Sequence, residues 1–172
     1  MTETAPRSPL RAAARRWQGR ARVAQAMVLI AGAGVAQRWL LMPRWSTIIG
    51  DHAPVPADWA REGSLPLRSA DLVEDRVRRA ILSGSRHLPW TPTCLAEATA
   101  GQMMLRTRGT AGVVVIGLRR ADSGDIWDAH AWLLGARGAI TGGQAADGFT
   151  ATTVFEVPGR LRAVDVDLVG VR

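Results

Sequence analysis

The chain is poor in the residues that build disulfide frameworks and metal sites. Its 172 residues include one cysteine, Cys94, and three histidines, His52, His87 and His130. One cysteine excludes an intramolecular disulfide, and so few sulfur and nitrogen ligands argue against a structural zinc site. We therefore expect no metal and no cofactor. The low cysteine content also suits a reducing cytoplasm, which is the predicted location.

Lysine and tyrosine are absent, and all 22 basic residues are arginine. Together with abundant alanine and glycine, this composition is typical of a GC-rich genome, so part of the high isoelectric point is compositional background. The distribution of charge is more informative. Residues 1–50 contain eight arginines and a single acid, Glu3, whereas residues 51–172 contain 14 arginines and 14 acids. The net charge of +7 therefore lies entirely in the N-terminal arm.

The basic arm has two interpretations of equal weight. It is either a surface for an acidic partner, a membrane or nucleic acid, or a solvated helix face enriched in arginine. An apolar run, residues 23–36, follows it. This run mimics a signal peptide but is shorter than the roughly 20 residues of a membrane span. We favour a helix packed on the domain or on a partner, with Gly32 and Gly34 permitting close packing. Neither integral membrane insertion nor a nucleic-acid partner is expected.

Proline and glycine then divide the chain. Residues 1–66 are predicted to form a helical arm and a proline-rich connector, and residues 67–172 the main domain. Asp71 and Glu74 have the spacing of a capping box, which begins a helix that Gly84 ends. Apolar residues 112–118 predict a central strand covered on both faces. Further strands are predicted at residues 149–157 and 162–168.

The cysteine lies where a helix begins. Thr91 or Thr93 can serve as the N-cap, Pro92 suits the first helical position, and Gly109 ends the helix. Either cap places Cys94 in the first turn, where unpaired backbone N–H groups and the helix dipole favour a thiolate. The alternative is that Cys94 is a small buried residue, which is the commoner fate of a lone cysteine.

A histidine strand supplies the potential partner. Residues 126–134 predict a strand on which Asp128, His130 and Trp132 share one face. A histidine among apolar strand residues is more often structural than catalytic. However, a cysteine helix packed across the sheet would bring His130 to the thiol, and Cys/His chemistry needs proximity in space rather than in sequence. His87, seven residues before Cys94, is either a second base or a surface residue.

Four motifs in this order resemble those of the lasso peptide biosynthesis B proteins, a family of leader peptidases. They are Cys94-Leu95, the helix end Leu105-Arg106-Thr107-Arg108-Gly109, the strand Val113–Arg119, and Ala129-His130-Ala131-Trp132. The resemblance covers roughly residues 67–157. It implies an α+β fold in which N-terminal helices precede a transglutaminase-like, papain-related core, with the cysteine helix packed on a mostly antiparallel sheet. It also implies that Cys94 is the nucleophile and His130 the general base.

The third catalytic residue departs from the family pattern. The family usually has an aspartate about a dozen residues after the histidine, but residues 140–144 read Ile-Thr-Gly-Gly-Gln and contain no carboxylate. We assign the third position to Asp147, the nearest acid downstream. Asp128 on the histidine strand and Gln144 are the alternatives.

The resemblance further implies a substrate and partners. The substrate would be a ribosomally made lasso precursor, cut between leader and core. Residues 1–60 show no winged-helix leader-recognition domain, so the chain resembles the split type. That type acts with a separate leader-binding protein and beside a macrolactam cyclase, and we expect the arginine-lined arm to dock the leader-binding protein.

Two alternative functions stay open. The chain is either another acyl-transfer enzyme, such as a transglutaminase or amidase, or a non-catalytic interaction protein.

Overall fold

The computed structural model describes residues 9–39, 48–55, 72–121, 126–136 and 138–157. In the first helix, it describes the side chains from residue 13 onward. Three helices, five strands and one short 3₁₀ turn lie within these ranges. In chain order they are α1 (Pro9–Trp39), β1 (Asp51–Ala53), α2 (Leu72–His87), α3 (Cys94–Arg106), β2 (Gly112–Arg120), β3 (Trp127–Gly135), β4 (Gly138–Thr141), the 3₁₀ turn (Gly143–Ala145) and β5 (Thr150–Val157). The predicted α+β class is confirmed.

The five strands form one antiparallel sheet in the order β1-β5-β2-β3-β4. Strand β2 lies between β5 and β3, as its continuous apolar sequence predicts, because both of its faces are covered. Val114 belongs to the cluster on the helix side and Val115 to the cluster on the other side. The register of β2 with β3 places Val115 opposite Trp132 and Gly117 opposite His130.

The main core lies between the helices and the sheet. It includes Ile30 of α1, Ile81 of α2, Met104 of α3 and Leu133 of β3. A smaller cluster on the opposite face contains Val115, Trp132, Leu134, Ala146, Ala151 and Val154. Successive side chains of a strand point to opposite faces, so alternate residues of β3 enter the two clusters.

Helix α1 is continuous over 31 residues and packs on α2 and α3, as expected for the apolar run. Ala26, Ile30 and Ala33 are the residues it buries. The close approach is at Gly84 of α2, where a Cβ atom would lie 3.1 Å from Ala26 Cβ. Gly32 and Gly34 do not make this contact, since the space around them is open. Within the described ranges, no helix combines the length and hydropathy that a membrane crossing requires.

Arg108 joins the end of α3 to α1. Its guanidinium donates to the Met104 carbonyl at 2.5 Å, in the last turn of α3, and to Gln25 Oε1 of α1 at 3.0 Å. Burial lowers the pKa of Arg108, and the nearby charge of Arg22 lowers it further. Arg108 therefore satisfies a free carbonyl at the C-terminal end of α3 and also holds α1 against it.

Glu74 has a tertiary role that the capping-box spacing did not predict. Its side chain is buried, and Oε1 accepts the N–H of Ala136 at 2.8 Å. Gly135 leaves room for the carboxylate, because a Cβ there would clash with the carboxylate atoms of Glu74. The carboxylate therefore anchors the β3–β4 turn to α2. Asp71 and the predicted strand at residues 162–168 lie outside the described residues.

Candidate active site

Cys94 is the first residue of α3. Thr93 is the N-cap: its backbone is extended (φ −74°, ψ 151°) and its Oγ1 accepts the N–H of Ala96 at 3.2 Å. The predicted placement of Cys94 in the first turn is confirmed. Pro92 precedes the cap and does not occupy the first helical position. The same Thr93 hydroxyl donates to Gln37 Oε1 of α1 at 3.1 Å, which ties the start of the cysteine helix to α1.

The thiol of Cys94 meets the histidine strand at its edge. Cys94 is free and half-buried, and its Sγ accepts the N–H of Ala131 at 3.4 Å. Strand β4 pairs with β3 only from Leu133 onward, so the backbone of Ala131 faces an edge that β4 leaves uncovered. The sulfur occupies the place where a partner strand would otherwise accept this amide. Ala131 directly follows His130 in the chain.

His130 lies on the sheet face that carries the smaller cluster. Its ring stacks on Trp132, with centroids 6.0 Å apart and planes at 24°, and contacts Phe149 at 5.3 Å. Its Nε2 lies 2.9 Å from the carbonyl oxygen of Gly142. Asp128, His130 and Trp132 share this face as predicted.

Sulfur and imidazole reach the same short stretch of strand edge from its two sides. The sulfur contacts the Ala131 amide, and the imidazole contacts Gly142, which itself sits against the Ala131 carbonyl. Among the described residues, the hydrogen-bond partner of the sulfur is this amide and not the ring of His130. The start of α3 and the residue that follows β4 thus both contact the middle of β3.

The three residues predicted for the third catalytic position are Asp147, Asp128 and Gln144. Asp128 forms an ion pair with Arg119 at 3.2 Å, and Gln144 and Asp147 are exposed. In the part of the chain that the structure describes, no side-chain hydrogen bond links any of the three to His130. Their assignment stays a prediction. His87 is exposed, and its Nδ1 lies 2.6 Å from the Ser83 carbonyl oxygen one turn earlier in α2.

An open groove of about 670 Å³ lies beside the thiol. Besides Cys94 and Glu97 of α3, it is lined by the end of α2 and the loop that follows: Ser85, Arg86, Leu88, Pro89, Trp90, Thr91 and Pro92. Ser85 Oγ donates to Glu97 Oε1 at 2.5 Å, which fixes the wall between α2 and α3. No cluster of three or more His, Cys, Asp or Glu side chains in the described ranges is suited to hold a metal ion.

The comparison with protein families identifies the superfamily of this chain. The model of the Transglutaminase-like superfamily matches residues 38–154, which is more than half of the chain and includes Cys94 and His130. The chain belongs to the transglutaminase-like superfamily. This superfamily generally comprises cysteine peptidases and acyltransferases, so thiol-based acyl transfer is the chemistry of its class. No match was found among curated proteins or among solved structures.

Two main-chain groups of this transglutaminase-like site were not predicted from the sequence. They are the Ala131 N–H at the sulfur and the Gly142 carbonyl at the imidazole. Every residue carries such groups, so no residue type marks them. The sequence carries a partial signal at Gly142, which stands in a Gly-Gly pair directly after a short strand. In the structure this residue has a positive φ of 73°.

Proposed function

We propose that this protein is a cysteine peptidase that removes the leader from a ribosomally made lasso peptide precursor. The observation that carries the proposal is the position of the Cys94 sulfur, at the start of α3 and against the strand residue that follows His130. Membership of the transglutaminase-like superfamily supports the reaction class. The four motifs that resemble those of the lasso peptide B proteins, in the same order, support a lasso precursor as the substrate.

In the proposed reaction, the Cys94 thiolate attacks the carbonyl carbon of the scissile peptide bond. His130 accepts the thiol proton and passes it to the leaving amine, so that a thioester and a free core amine result. Water then attacks the thioester, His130 takes a proton from it, and the leader carboxylate and the thiol are released. The unpaired N–H groups at the start of α3 are suited to stabilise the tetrahedral oxyanion.

The reaction needs the thiol and the imidazole within hydrogen-bond reach. Catalytic hydrogen bonds are often long or poorly aligned before substrate binds, and they tighten in the complex. The thiol lies at the edge of β3 where β4 has ended, and the imidazole lies on the adjoining sheet face against the Gly142 carbonyl. We therefore place the scissile bond at this edge, with the leader in the groove beside Cys94 and against the half-exposed indole of Trp90.

Reconstitution tests this function. The purified protein is incubated with the precursor and the leader-recognition protein from neighbouring genes, and the products are weighed by mass spectrometry. We expect a leader and a core whose masses sum to the precursor plus one water. A crosslinked or deamidated precursor would instead indicate a transglutaminase or amidase, and an unchanged precursor would indicate a non-catalytic protein. Either result would refute leader removal.

We further propose that the outer face of α1 docks the separate leader-recognition protein. Trp17, Val28, Val35 and Trp39 are exposed by 73%, 72%, 59% and 78%, and their spacings return them to one face of the helix. These four residues form an outer stripe, which lies opposite the buried residues of α1. The helix carries six arginines and no acid. Like charges disfavour pairing with a second copy, so an apolar surface with an acidic rim is the complementary partner.

Substitutions on the outer stripe test this docking. Trp17→Ala combined with Trp39→Ala should weaken binding of the leader-recognition protein at least about tenfold, because exposed tryptophans are frequent anchors of interfaces. Trp127→Ala removes another exposed indole, one that lies on the sheet and not on α1, and should leave binding unchanged. Calorimetric titration measures both. Undiminished binding by the double variant would rule out this docking surface. Neither substitution changes a buried residue of α1.

A further inference from the structure

The imidazole of His130 is held by a backbone atom. Its Nε2 lies 2.9 Å from the carbonyl oxygen of Gly142, twelve residues later in the chain. Residues 140–144, which include this position, contain no carboxylate. Here the side chain at position 142 is a hydrogen atom, and the main chain itself contacts the ring.

A carbonyl oxygen can only accept a hydrogen bond, and this fixes the state of the ring. The neutral imidazole carries one proton, so a bond from Nε2 to the carbonyl requires that proton on Nε2 and leaves the lone pair on Nδ1. A side-chain amide at the same place can rotate to present its NH₂ group and select the other tautomer. A main-chain carbonyl has no such alternative, so it selects the tautomer without contributing charge.

Only glycine fits the backbone that places this carbonyl. Gly142 has a φ of 73°, in the left-handed region, and a Cβ atom there would lie 2.6 Å from the Ala131 oxygen and 3.0 Å from Trp132 Cα. Both are main-chain atoms of β3 and cannot move aside independently of the strand. A side chain at position 142 would therefore displace the very carbonyl that meets the imidazole.

We infer that the Gly142 carbonyl is the third member of the site, a positioning group that orients His130 and holds its proton on Nε2, so that Nδ1 is the nitrogen that accepts the Cys94 proton. The inference rests on the proposed function for its catalytic meaning. It assigns the orienting role to the main chain instead of to Asp147, Asp128 or Gln144. Because a neutral acceptor stabilises an imidazolium less than a carboxylate does, the group acts through geometry more than through charge.

Nitrogen NMR of the imidazoles tests the tautomer without any substrate. The chain has three histidines, and the spectrum of a His130→Gln variant identifies the resonances of His130. At a pH where the ring is neutral, we expect the Nε2–H tautomer to predominate in the unmodified protein. A predominant Nδ1–H tautomer, or an even mixture of the two, would overturn the inference even if the protein cleaves its precursor.

Gly142→Ala, with Gly148→Ala as its matched control, tests the positioning role. Gly148 also has a positive φ, 77°, but a Cβ there meets only the flexible Arg119 side chain at 3.4 Å. Both variants suffer the same backbone strain, and only Gly142→Ala displaces the carbonyl. We expect Gly142→Ala to lower kcat by about 10- to 100-fold with KM little changed, since small misplacements of catalytic groups have effects of this size. It should also convert the His130 spectrum to a tautomer mixture.

The two measurements separate the possible failures. If Gly142→Ala folds and keeps both the wild-type kcat and the Nε2–H tautomer, the carbonyl does not position His130 and the inference is wrong. If Gly148→Ala loses as much kcat as Gly142→Ala, the effect is general strain, which equally overturns it. If no variant and no wild-type preparation cleaves the precursor, the proposed function fails, while the wild-type tautomer still decides the positioning role.

Discussion

Cys94→Ala is expected to reduce precursor cleavage by on the order of 10⁴-fold or more, because the nucleophile and its base act as a unit in thiol-dependent acyl transfer. The chain has no other cysteine, so no second thiol can substitute. Cleavage is followed by mass spectrometry under single-turnover conditions, with the leader-recognition protein present in excess. A variant that still processes the precursor at the wild-type rate would exclude Cys94 as the nucleophile.

Cys94→Ser is the matched control for the structure of the site. Its hydroxyl remains an acceptor for the Ala131 N–H that now meets the sulfur, and a serine in the first turn is compatible with the helix start. We expect this variant to keep the stability of the wild type and to lose activity nearly as completely as the alanine variant. Modification of the single thiol with iodoacetamide should abolish wild-type activity in proportion to the fraction labelled.

The elements that position this thiol could be predicted from the sequence because their signals are local. The Thr-Pro-Thr-Cys sequence determines where α3 begins, and the structure places the cap at Thr93. The unbroken apolar run of β2 specifies a strand covered on both faces. Alternation along β3 specifies that Asp128, His130 and Trp132 share a face, and the ion pair to Arg119 and the stacked rings confirm it.

The contacts between distant segments could not be predicted, since they depend on register and on main-chain groups. The Glu74 carboxylate reaches the β3–β4 turn only because α2 packs beneath that turn, and its sequence spacing suggested a local cap instead. The β4 strand ends at Thr141, and this exposes the Ala131 amide to the sulfur. A sequence search for a carboxylate after His130 could not find a backbone carbonyl.

Trp132→Ala is expected to produce the largest loss of stability among single substitutions near the site, about 3–5 kcal/mol, as for other buried aromatic residues cut to alanine. The indole is 4% exposed and belongs to the smaller core cluster. It lies over Gly117, where a Cβ atom would come within 2.7 Å of the ring. The loss is a large part of the 5–15 kcal/mol that stabilises a typical domain.

Trp127 provides the control on the same strand. It is 59% exposed and contacts Arg120 at 5.7 Å from its ring, a cation–π contact worth about 0.5–1 kcal/mol at an exposed site. Urea unfolding followed by circular dichroism should therefore show Trp127→Ala close to wild type and Trp132→Ala far below it. Equal midpoints for the two variants would contradict the burial of Trp132.

Trp132→Phe separates the packing of the cluster from the orientation of His130. Within the described ranges the buried indole N–H has no hydrogen-bond acceptor, so phenylalanine loses ring volume but no hydrogen bond. It also keeps an aromatic face for the imidazole, which now stacks on Trp132 at 6.0 Å. We expect a smaller loss of stability than in Trp132→Ala and an unchanged His130 tautomer, because the Gly142 carbonyl still accepts from Nε2. Loss of that tautomer in Trp132→Phe would instead assign the orientation of the ring to the stack.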